Sequence, residues 1–420
     1  MPKSTPFSIE KPRISWYSVN EKNPPEKEGI FMKPIRTKIH QNGIRFVLKA
    51  EAPLYKISKG KLCKNLFLSS LRIPYIGSNV KVIKENETST FIGKLNPDGS
   101  YDSSPFKILT FTDMHTGEDY ELNDKVMQLM IDNIEEIKPD LVIFTGDCIQ
   151  AKFQQIDAVQ FGQLFEKMGV YWAYTFGNHE AREEKEYYKY LLFKSITDCP
   201  YCLSKFGDPA LFGYGNYVIN VMNSENEIRQ SLVMFDSGRD ICEPHKTNDN
   251  VTFEHGYDYI KPTQIEWYKK EITALKEKYG QVKSCLYMHI PIPEYAEVFG
   301  TEKGADEKYT PTGKAELVYG VQYELPGCSP YNSGLFTAMK EMGAQAVFSG
   351  HDHVNDWAAI YEGIYLVYSQ SSDYNLYGLG GYNNAVYLPE SEWLQGCTLT
   401  TINNDATITI EQKKNSRFLK

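Results

Sequence analysis

Between about residue 105 and residue 350, short apolar runs alternate with longer segments whose apolar residues recur at helical spacing. A short, largely apolar run predicts a buried strand, because a strand covered on both faces of a sheet has no polar side. Such runs lie at 107–111, 140–144, 170–174, 231–235, 284–288 and 344–348. The pattern therefore predicts a sheet whose strands are largely buried.

Helices are predicted between these strands. Val126, Met130, Ile134 and Ile137 recur at helical spacing, and Pro139 ends that helix. Further helices are predicted around 161–168, near 262–279 and at 332–342. Strands that alternate with helices indicate an α/β or layered αββα domain.

Residues 1–104 have a different pattern, with clusters of proline and lysine and short β-leaning runs such as 44–48. Turn sequences at 96–99 and 101–105 separate this part from the rest. We predict a small β-rich N-terminal region over 1–104 and a larger domain over 105–420.

A polar sequence follows each of five predicted strands. These are Thr112-Asp113-Met114-His115, Thr145-Gly146-Asp147, Gly177-Asn178-His179-Glu180, His289-Ile290-Pro291 and Gly350-His351-Asp352-His353. Ligands in open α/β sheets gather at the carboxyl ends of strands, so we expect the five sequences to converge on one crevice. Five of the eight histidines of the chain lie in them.

Carboxylate, amide and imidazole groups are together the ligands of zinc, manganese and iron sites. Asp113 and His115 share a face of an extended segment, as do His351 and His353 unless a turn directs that pair to two different ions. Each short sequence alone is more often a satisfied polar group at a strand end, and Asn178 alone a cap or turn. Their joint occurrence predicts two ions about 3.5–4 Å apart that share one aspartate.

Composition restricts the partners. The 45 basic and 54 acidic residues leave a net charge of −9, which disfavours a large nucleic-acid surface. No apolar run of about 18 residues is present, so we expect no membrane-spanning helix. The N-terminal sequence has no apolar run typical of a secretory signal, which favours the cytoplasm unless a leader has been removed.

The motifs D-x-H, G-D, G-N-H-E, H and G-H-x-H, in this order, resemble the calcineurin-like metallophosphoesterase superfamily over about residues 105–385. Further segments resemble its purple-acid-phosphatase-like branch of plants and fungi; they lie at 213–217, 236–238, 256–262, 288–294 and 350–356. The resemblance implies a four-layer αββα sandwich with two metal ions, which would be Mn, Zn or Fe.

The resemblance also implies a role for each matching residue. The first metal would take Asp113, His115 and His353, the second Asn178, His289 and His351, and Asp147 would bridge both. His179 would be catalytic next to the phosphoryl group, with Glu180 as a candidate to orient it. Asn178 and His179 would contact the substrate. Arg182 is a further candidate to hold it, although an exposed helix arginine is the commoner role.

Two positions depart from the purple acid phosphatase pattern. That pattern has D-x-G and a tyrosine ligand in G-D-x-x-Y, where this chain has His115 and Gln150. An iron–tyrosinate bond is therefore not expected. The sequence 146–150 also lacks the second aspartate and the arginine of G-D-x-V-D-R-G, which disfavours the protein Ser/Thr phosphatases.

The first functional hypothesis is a phosphomonoesterase that uses a metal-bridging hydroxide on a small phosphorylated substrate or a phosphoprotein. A phosphodiesterase or nucleotide hydrolase at the same site is the alternative. A non-catalytic scaffold is a third hypothesis, which the complete set of ligand positions disfavours. Tyr374 and Tyr377 are candidates for the lip of the pocket or for a simple glycine-rich turn.

Overall fold

The computed structural model describes residues 77, 79–116, 120–150, 154–180, 186–241, 245–246, 252–253, 255–373 and 395–414. Its strands are β1 (Val80–Glu85), β2 (Ser89–Lys94), β3 (Phe106–Phe111), β4 (Leu141–Thr145), β5 (Tyr171–Thr175), β6 (Tyr217–Ser224), β7 (Glu227–Met234), β8 (His245–Lys246), β9 (Thr252–Phe253), β10 (Ser284–Tyr287), β11 (Phe299–Lys303), β12 (Tyr309–Pro311), β13 (Glu316–Val321), β14 (Ala344–Ser349), β15 (Asp356–Tyr361), β16 (Ile364–Tyr368), β17 (Gly396–Ile402) and β18 (Ile408–Lys414). Its helices are α1 (Tyr120–Ile137), α2 (Gln154–Met168), α3 (Glu186–Thr197), α4 (Pro262–Tyr279) and α5 (Leu335–Met342), with a 3-10 helix at Pro293–Glu297.

Two large sheets organise the described residues. The nine-stranded sheet has the order β1-β2-β6-β7-β10-β14-β16-β15-β13, and the five-stranded sheet has the order β18-β17-β3-β4-β5. Neighbouring strands run parallel from β3 through β4 to β5, and from β7 through β10 and β14 to β16. The carboxyl ends of the strands in each parallel set therefore lie at one edge of their sheet.

Two hydrophobic cores hold four layers together. One core joins α1 and α2 to the five-stranded sheet and continues between the two sheets. The other packs α4 and α5 against the outer face of the nine-stranded sheet. All five residues of β4 are buried, as expected for a strand covered on both faces. The predicted four-layer αββα fold is confirmed.

The elements at the centre of the chain agree closely with the sequence pattern, whereas one connecting region does not. Helix α4 begins at Pro262 and ends at Tyr279, where the pattern predicts a helix. By contrast, α3 and β6 lie within 180–230, which the pattern leaves as loop. The register of β6 depends on pairing with β2 and β7, and a local pattern does not contain that information.

The first two strands belong to the large sheet. Strand β2 pairs in parallel with β6, so residues 80–94 complete the nine-stranded sheet rather than forming a sheet of their own. The predicted boundary at 104 thus falls between strands that pack in one core, and residues 1–76 lie outside the described part. Within that part, no helix has the length and apolar character needed to cross a bilayer.

Candidate metal centre

The five polar sequences follow β3, β4, β5, β10 and β14 in the structure, and their loops meet where the two sheets face each other. Ligand atoms form three groups in which all atoms lie within 4.8 Å of one another. The groups are Asp113, His115 and His353; His115, Asp147 and His179; and Asp147, His289 and His351. The structure therefore brings together residues as far apart in the sequence as Asp113 and His353.

The first group contains two imidazole nitrogens and one carboxylate oxygen. His115 Nε2 and His353 Nε2 are 3.0 Å apart. Asp113 Oδ1 lies 3.7 Å from the first nitrogen and 3.5 Å from the second. This oxygen is buried without a hydrogen-bond partner, although the other oxygen of Asp113 accepts from the His351 N–H at 2.9 Å. An orphaned carboxylate oxygen beside two facing nitrogens has the donor chemistry of a metal site.

The second group surrounds His289. Its Nδ1 lies 2.8 Å from the carbonyl oxygen of Thr145, so Nδ1 carries a proton and donates it. The Nε2 atom then points at two oxygens, Asn178 Oδ1 at 2.9 Å and Asp147 Oδ2 at 3.2 Å, with His351 Nδ1 at 3.3 Å. In the absence of a metal, a proton on Nε2 satisfies these oxygens, and a cation bound there would take the place of that proton.

Asp147 lies between the two groups. Its Oδ2 lies 3.2 Å from His289 Nε2, 3.9 Å from His115 Nε2 and 3.8 Å from His179 Nε2. Its Oδ1 accepts a hydrogen bond from the backbone N–H of His179 at 2.7 Å. One carboxylate oxygen thus faces both clusters of nitrogens, as a bridging ligand requires.

The backbone of the candidate ligands has an uncommon conformation. Asp113, His115, Asp147 and His351 have positive φ angles of 49°, 43°, 50° and 85°. Left-handed backbone costs a residue with a Cβ atom about 1 kcal/mol or more, and it is concentrated at functional sites. Packing around the cluster therefore holds these side chains in place against a local conformational preference.

Close approach of two loops explains the glycines of the G-D and G-N-H-E motifs. A Cβ atom at Gly177 would lie 2.1 Å from Asp147 Oδ1, and Gly146 has a φ of +91° that favours glycine. Only a residue without a side chain allows the loop after β5 to pack this tightly on the loop after β4.

The buried groups shift one another's pKa. Burial would raise the pKa of Asp113, but the facing imidazoles, His289 foremost, hold it well below its usual range. Burial would lower the pKa of His289, but the carboxylates of Asp147 and Asp113 raise it to about 9. Burial and the neighbouring His289 lower the pKa of His351 to about 3. A metal ion would have to displace the proton that His289 retains.

Glu180 supports the loop of Asp147. Its carboxylate accepts hydrogen bonds from the N–H groups of Asp147, Cys148, Ile149 and Gly177 at 2.7–3.1 Å and from the Tyr174 hydroxyl at 2.6 Å. The turn at 178–180 directs this side chain into the protein, whereas His179 is 19% exposed. These contacts make Glu180 a residue that positions the loop after β4, which differs from the expected contact with the His179 ring.

We expect Glu180→Gln to destabilise the fold by about 2–4 kcal/mol, because an amide NH₂ would face backbone N–H donors and leave them unsatisfied. The free energy of unfolding in urea measures this loss. Glu277→Gln on the exposed side of α4 is the matched control and should change stability by less than about 0.5 kcal/mol. Equal effects of the two substitutions would contradict the positioning role.

Two polar contacts of the site are not predicted from the sequence. Asp373 Oδ2 lies 3.4 Å from His353 Nδ1 and orients that imidazole. Asp373 comes five residues after β16 ends at Tyr368, so an extension of the rule for strand ends would have found it. The second contact is made by Gln150, whose Oε1 lies 3.0 Å from His115 Nδ1.

Three candidates lie outside the described residues, namely Arg182, Tyr374 and Tyr377. His255 is exposed and belongs to none of the three ligand groups. The structure thus brings together all seven residues predicted as ligands, with His179 beside them; these are Asp113, His115, Asp147, Asn178, His289, His351 and His353.

Comparison with known proteins gives a consistent result. The sequence profile described as calcineurin-like phosphoesterase matches residues 106–355, which is more than half of the chain. The protein named "Probable inactive purple acid phosphatase 14" of Arabidopsis thaliana is 28% identical over 335 residues, covering 71% of this chain and 77% of the relative. "Phosphatase DCR2" of Saccharomyces cerevisiae is 27% identical over 278 residues, covering 61% of this chain and 45% of the relative.

Among solved structures, a dimetal phosphatase from Danio rerio aligns with 74% of this chain and 100% of its own length. The alignment has 11% sequence identity and a TM-score of 0.42.

Proposed function

The chain belongs to the calcineurin-like phosphoesterase family, and from this premise we propose that it is a metal-dependent phosphomonoesterase. The observation that carries the proposal is a pair of buried ligand groups, Asp113 with His115 and His353, and Asp147 with His289 and His351. Asp147 Oδ2 of the second group also lies 3.9 Å from His115 Nε2 of the first. Both groups combine carboxylate and imidazole atoms and contain no thiolate, which suits Mn, Zn or Fe.

The ligand assignment follows the two groups. The first ion would be held by Asp113, His115 and His353, the second by Asn178, His289 and His351, and Asp147 would contact both. When bound, such ions supply an activated water near neutral pH and positive charge opposite the phosphoryl oxygens. The orphaned Oδ1 of Asp113 and the crowded Nε2 of His289 support this assignment.

We assign His179 to interaction with the leaving group. Its Nε2 lies 3.8 Å from Asp147 Oδ2, and its side chain is 19% exposed whereas that of Asp147 is 1% exposed. His179 therefore lies between the ligand cluster and solvent, where a phosphate ester would enter. In this position the imidazole would stabilise the negative charge on the phosphoryl group or donate a proton to the departing alkoxide. Asn178, which is partly exposed, would contact the same substrate.

Monoesters are favoured as substrates over polymeric diesters because the chain has a net charge of −9. A small phosphorylated compound or a phosphoprotein fits this charge. The "probable inactive" names of the Arabidopsis relatives make a direct assay the deciding measurement. A residue able to bind a metal ion stands at all seven ligand positions of this chain, which supports catalysis rather than a scaffold role.

We expect purified protein with added Mn²⁺ or Zn²⁺ to hydrolyse p-nitrophenyl phosphate with a kcat on the order of 1–10³ s⁻¹. Hydrolysis of bis(p-nitrophenyl) phosphate should be at least about tenfold slower, because the site is proposed to bind a terminal phosphoryl group. Activity on the diester alone would reject the monoesterase. Absence of activity on both esters in metal-loaded protein would favour the scaffold.

Metal binding should also stabilise the fold. At roughly one hundred times its Kd, an ion that binds only the folded state adds about 2.7 kcal/mol, which corresponds to a rise in Tm of about 3 °C. Thermal unfolding with Zn²⁺ and then with excess chelator measures this difference. Identical Tm values under the two conditions, together with metal-free protein by elemental analysis, would contradict the ligand assignment.

A further inference from the structure

The two positions that depart from the purple acid phosphatase pattern contact each other in the structure. Gln150 Oε1 lies 3.0 Å from His115 Nδ1. The amide nitrogen of the same side chain lies 3.0 Å from His179 Nδ1. One amide thus joins a proposed metal ligand to the proposed catalytic histidine, across 35 residues on one side and 29 on the other.

The ligand role of His115 determines its tautomer. Its Nε2 faces Asp113 and His353 in the first ligand group and must offer a lone pair to bind an ion. The proton of a neutral His115 is then on Nδ1, which can only donate. The group opposite Nδ1 must therefore accept, and the carbonyl oxygen of Gln150 does so.

This choice fixes the tautomer of His179 as well. With its oxygen turned to His115, Gln150 presents its NH₂ group to His179 Nδ1, which must accept the hydrogen bond. A neutral His179 then carries its proton on Nε2. That nitrogen lies 3.8 Å from Asp147 Oδ2 and faces the ligand cluster, where the reaction would take place.

We propose that Gln150 is a positioning residue that sets both tautomers together, so that His115 binds metal through Nε2 while His179, as a neutral imidazole, donates a hydrogen bond from Nε2 to the charge that develops on the leaving oxygen. The proposal rests on the proposed function and goes beyond it. An amide can do this because it has an acceptor and a donor at opposite sides of one planar group, whereas a tyrosine at this position has only one polar atom.

The first test compares substrates whose leaving groups differ in their need for a proton. Gln150→Met keeps the approximate volume and removes both hydrogen bonds. We expect kcat on glycerol phosphate, whose leaving alkoxide is strongly basic, to fall by about 10²-fold, and kcat on p-nitrophenyl phosphate by less than about tenfold. An equal loss on both substrates would overturn the role in His179 positioning.

A double mutant isolates the contact with His179. In a His179→Asn background, Gln150→Met should no longer change the ratio of the two kcat values, because the proton it positions is already absent. Independent, multiplicative effects of the two substitutions on that ratio would also overturn the proposal.

The contact with His115 is tested without any activity. Competition with a chelator should show that Gln150→Met weakens Zn²⁺ binding by about 10–100-fold, as expected when the partner of a ligand histidine is lost. Gln154→Met is the matched control, because Gln154 donates to the Ile149 carbonyl at 2.9 Å in the same loop region. Equal loss of Zn²⁺ affinity in both variants would assign Gln150 a merely structural role.

Nitrogen NMR of histidine-labelled, Zn²⁺-loaded protein observes the tautomers directly. We expect a protonated Nε2 for His179, identified by its disappearance in His179→Asn, and a protonated Nδ1 for His115. The converse tautomer for His179 would refute the proposal. These two measurements remain decisive even if the protein hydrolyses no phosphoester, so failure of the proposed function is distinguishable from failure of this inference.

Discussion

Replacing the shared carboxylate, Asp147→Asn, is expected to lower kcat for p-nitrophenyl phosphate by at least about 10³-fold, or about 4 kcal/mol of activation free energy. The amide oxygen can still accept from the His179 N–H, and its NH₂ group would face His289 Nε2. The variant should therefore fold but reject cations at the position where both ions would be held. Elemental analysis should find at least one ion fewer per chain than in the original protein.

Asp140→Asn is the matched control for this substitution. Asp140 lies at the opposite end of β4, where it accepts from the Lys107 N–H at 2.8 Å and pairs with Lys94 at 3.3 Å. Both aspartates are buried next to the same strand, and only Asp147 lies in the ligand cluster. Asp140→Asn should retain the metal content and change kcat by less than about twofold, with any loss confined to stability. Full activity of Asp147→Asn would refute the catalytic proposal.

Removing the imidazole of His179 is expected to have the second largest effect. His179→Asn should lower kcat on glycerol phosphate by about 10²–10⁴-fold, because no imidazole N–H then reaches the leaving oxygen. The backbone N–H that binds Asp147 is unaffected by the change, so metal content should be retained. The measurement is a steady-state rate with parallel elemental analysis of the same sample.

The exposed His255 supplies the control for the loss of an imidazole. His255→Asn should leave kcat within about twofold, since this residue is outside the three ligand groups. Loss of metal from His179→Asn would show that His179 is a metal ligand rather than the residue that acts on the leaving oxygen. An unchanged rate on glycerol phosphate would remove it from the reaction altogether.

The location of the site could be predicted from sequence because it depends on a local rule applied five times. Each apolar run indicates where a strand ends, and parallel strands bring their carboxyl ends to one edge. The positions of Asp113, Asp147 and His289 follow from that rule without knowledge of the sheet order. The layers of the fold were predictable for a similar reason, since wholly apolar strands such as β4 require cover on both faces.

The supporting contacts could not be predicted, because they depend on how loops turn rather than on where strands end. Glu180 follows His179 in sequence, yet the turn at 178–180 directs its carboxylate into the loop after β4. Gln150 is an ordinary loop residue until the two histidines on either side of its amide are located. Both contacts join residues about thirty positions apart in the sequence. The periodicity of apolar residues carries no information about contacts over such a separation.

The ligand groups have a consequence for how the protein can be divided. Strands β3, β4 and β5 in the first part of the chain lead to Asp113, Asp147 and Asn178, whereas β10 and β14 in the second part lead to the remaining histidines. Each proposed ion takes ligands from both parts, so the ions would act as cross-links between the two sheets. A fragment from either half would lack a complete coordination sphere, and dividing the chain would also separate β3 from β17, which pair in the five-stranded sheet. Metal binding would therefore require both halves of the chain, and neither half alone would bind metal as the whole protein does.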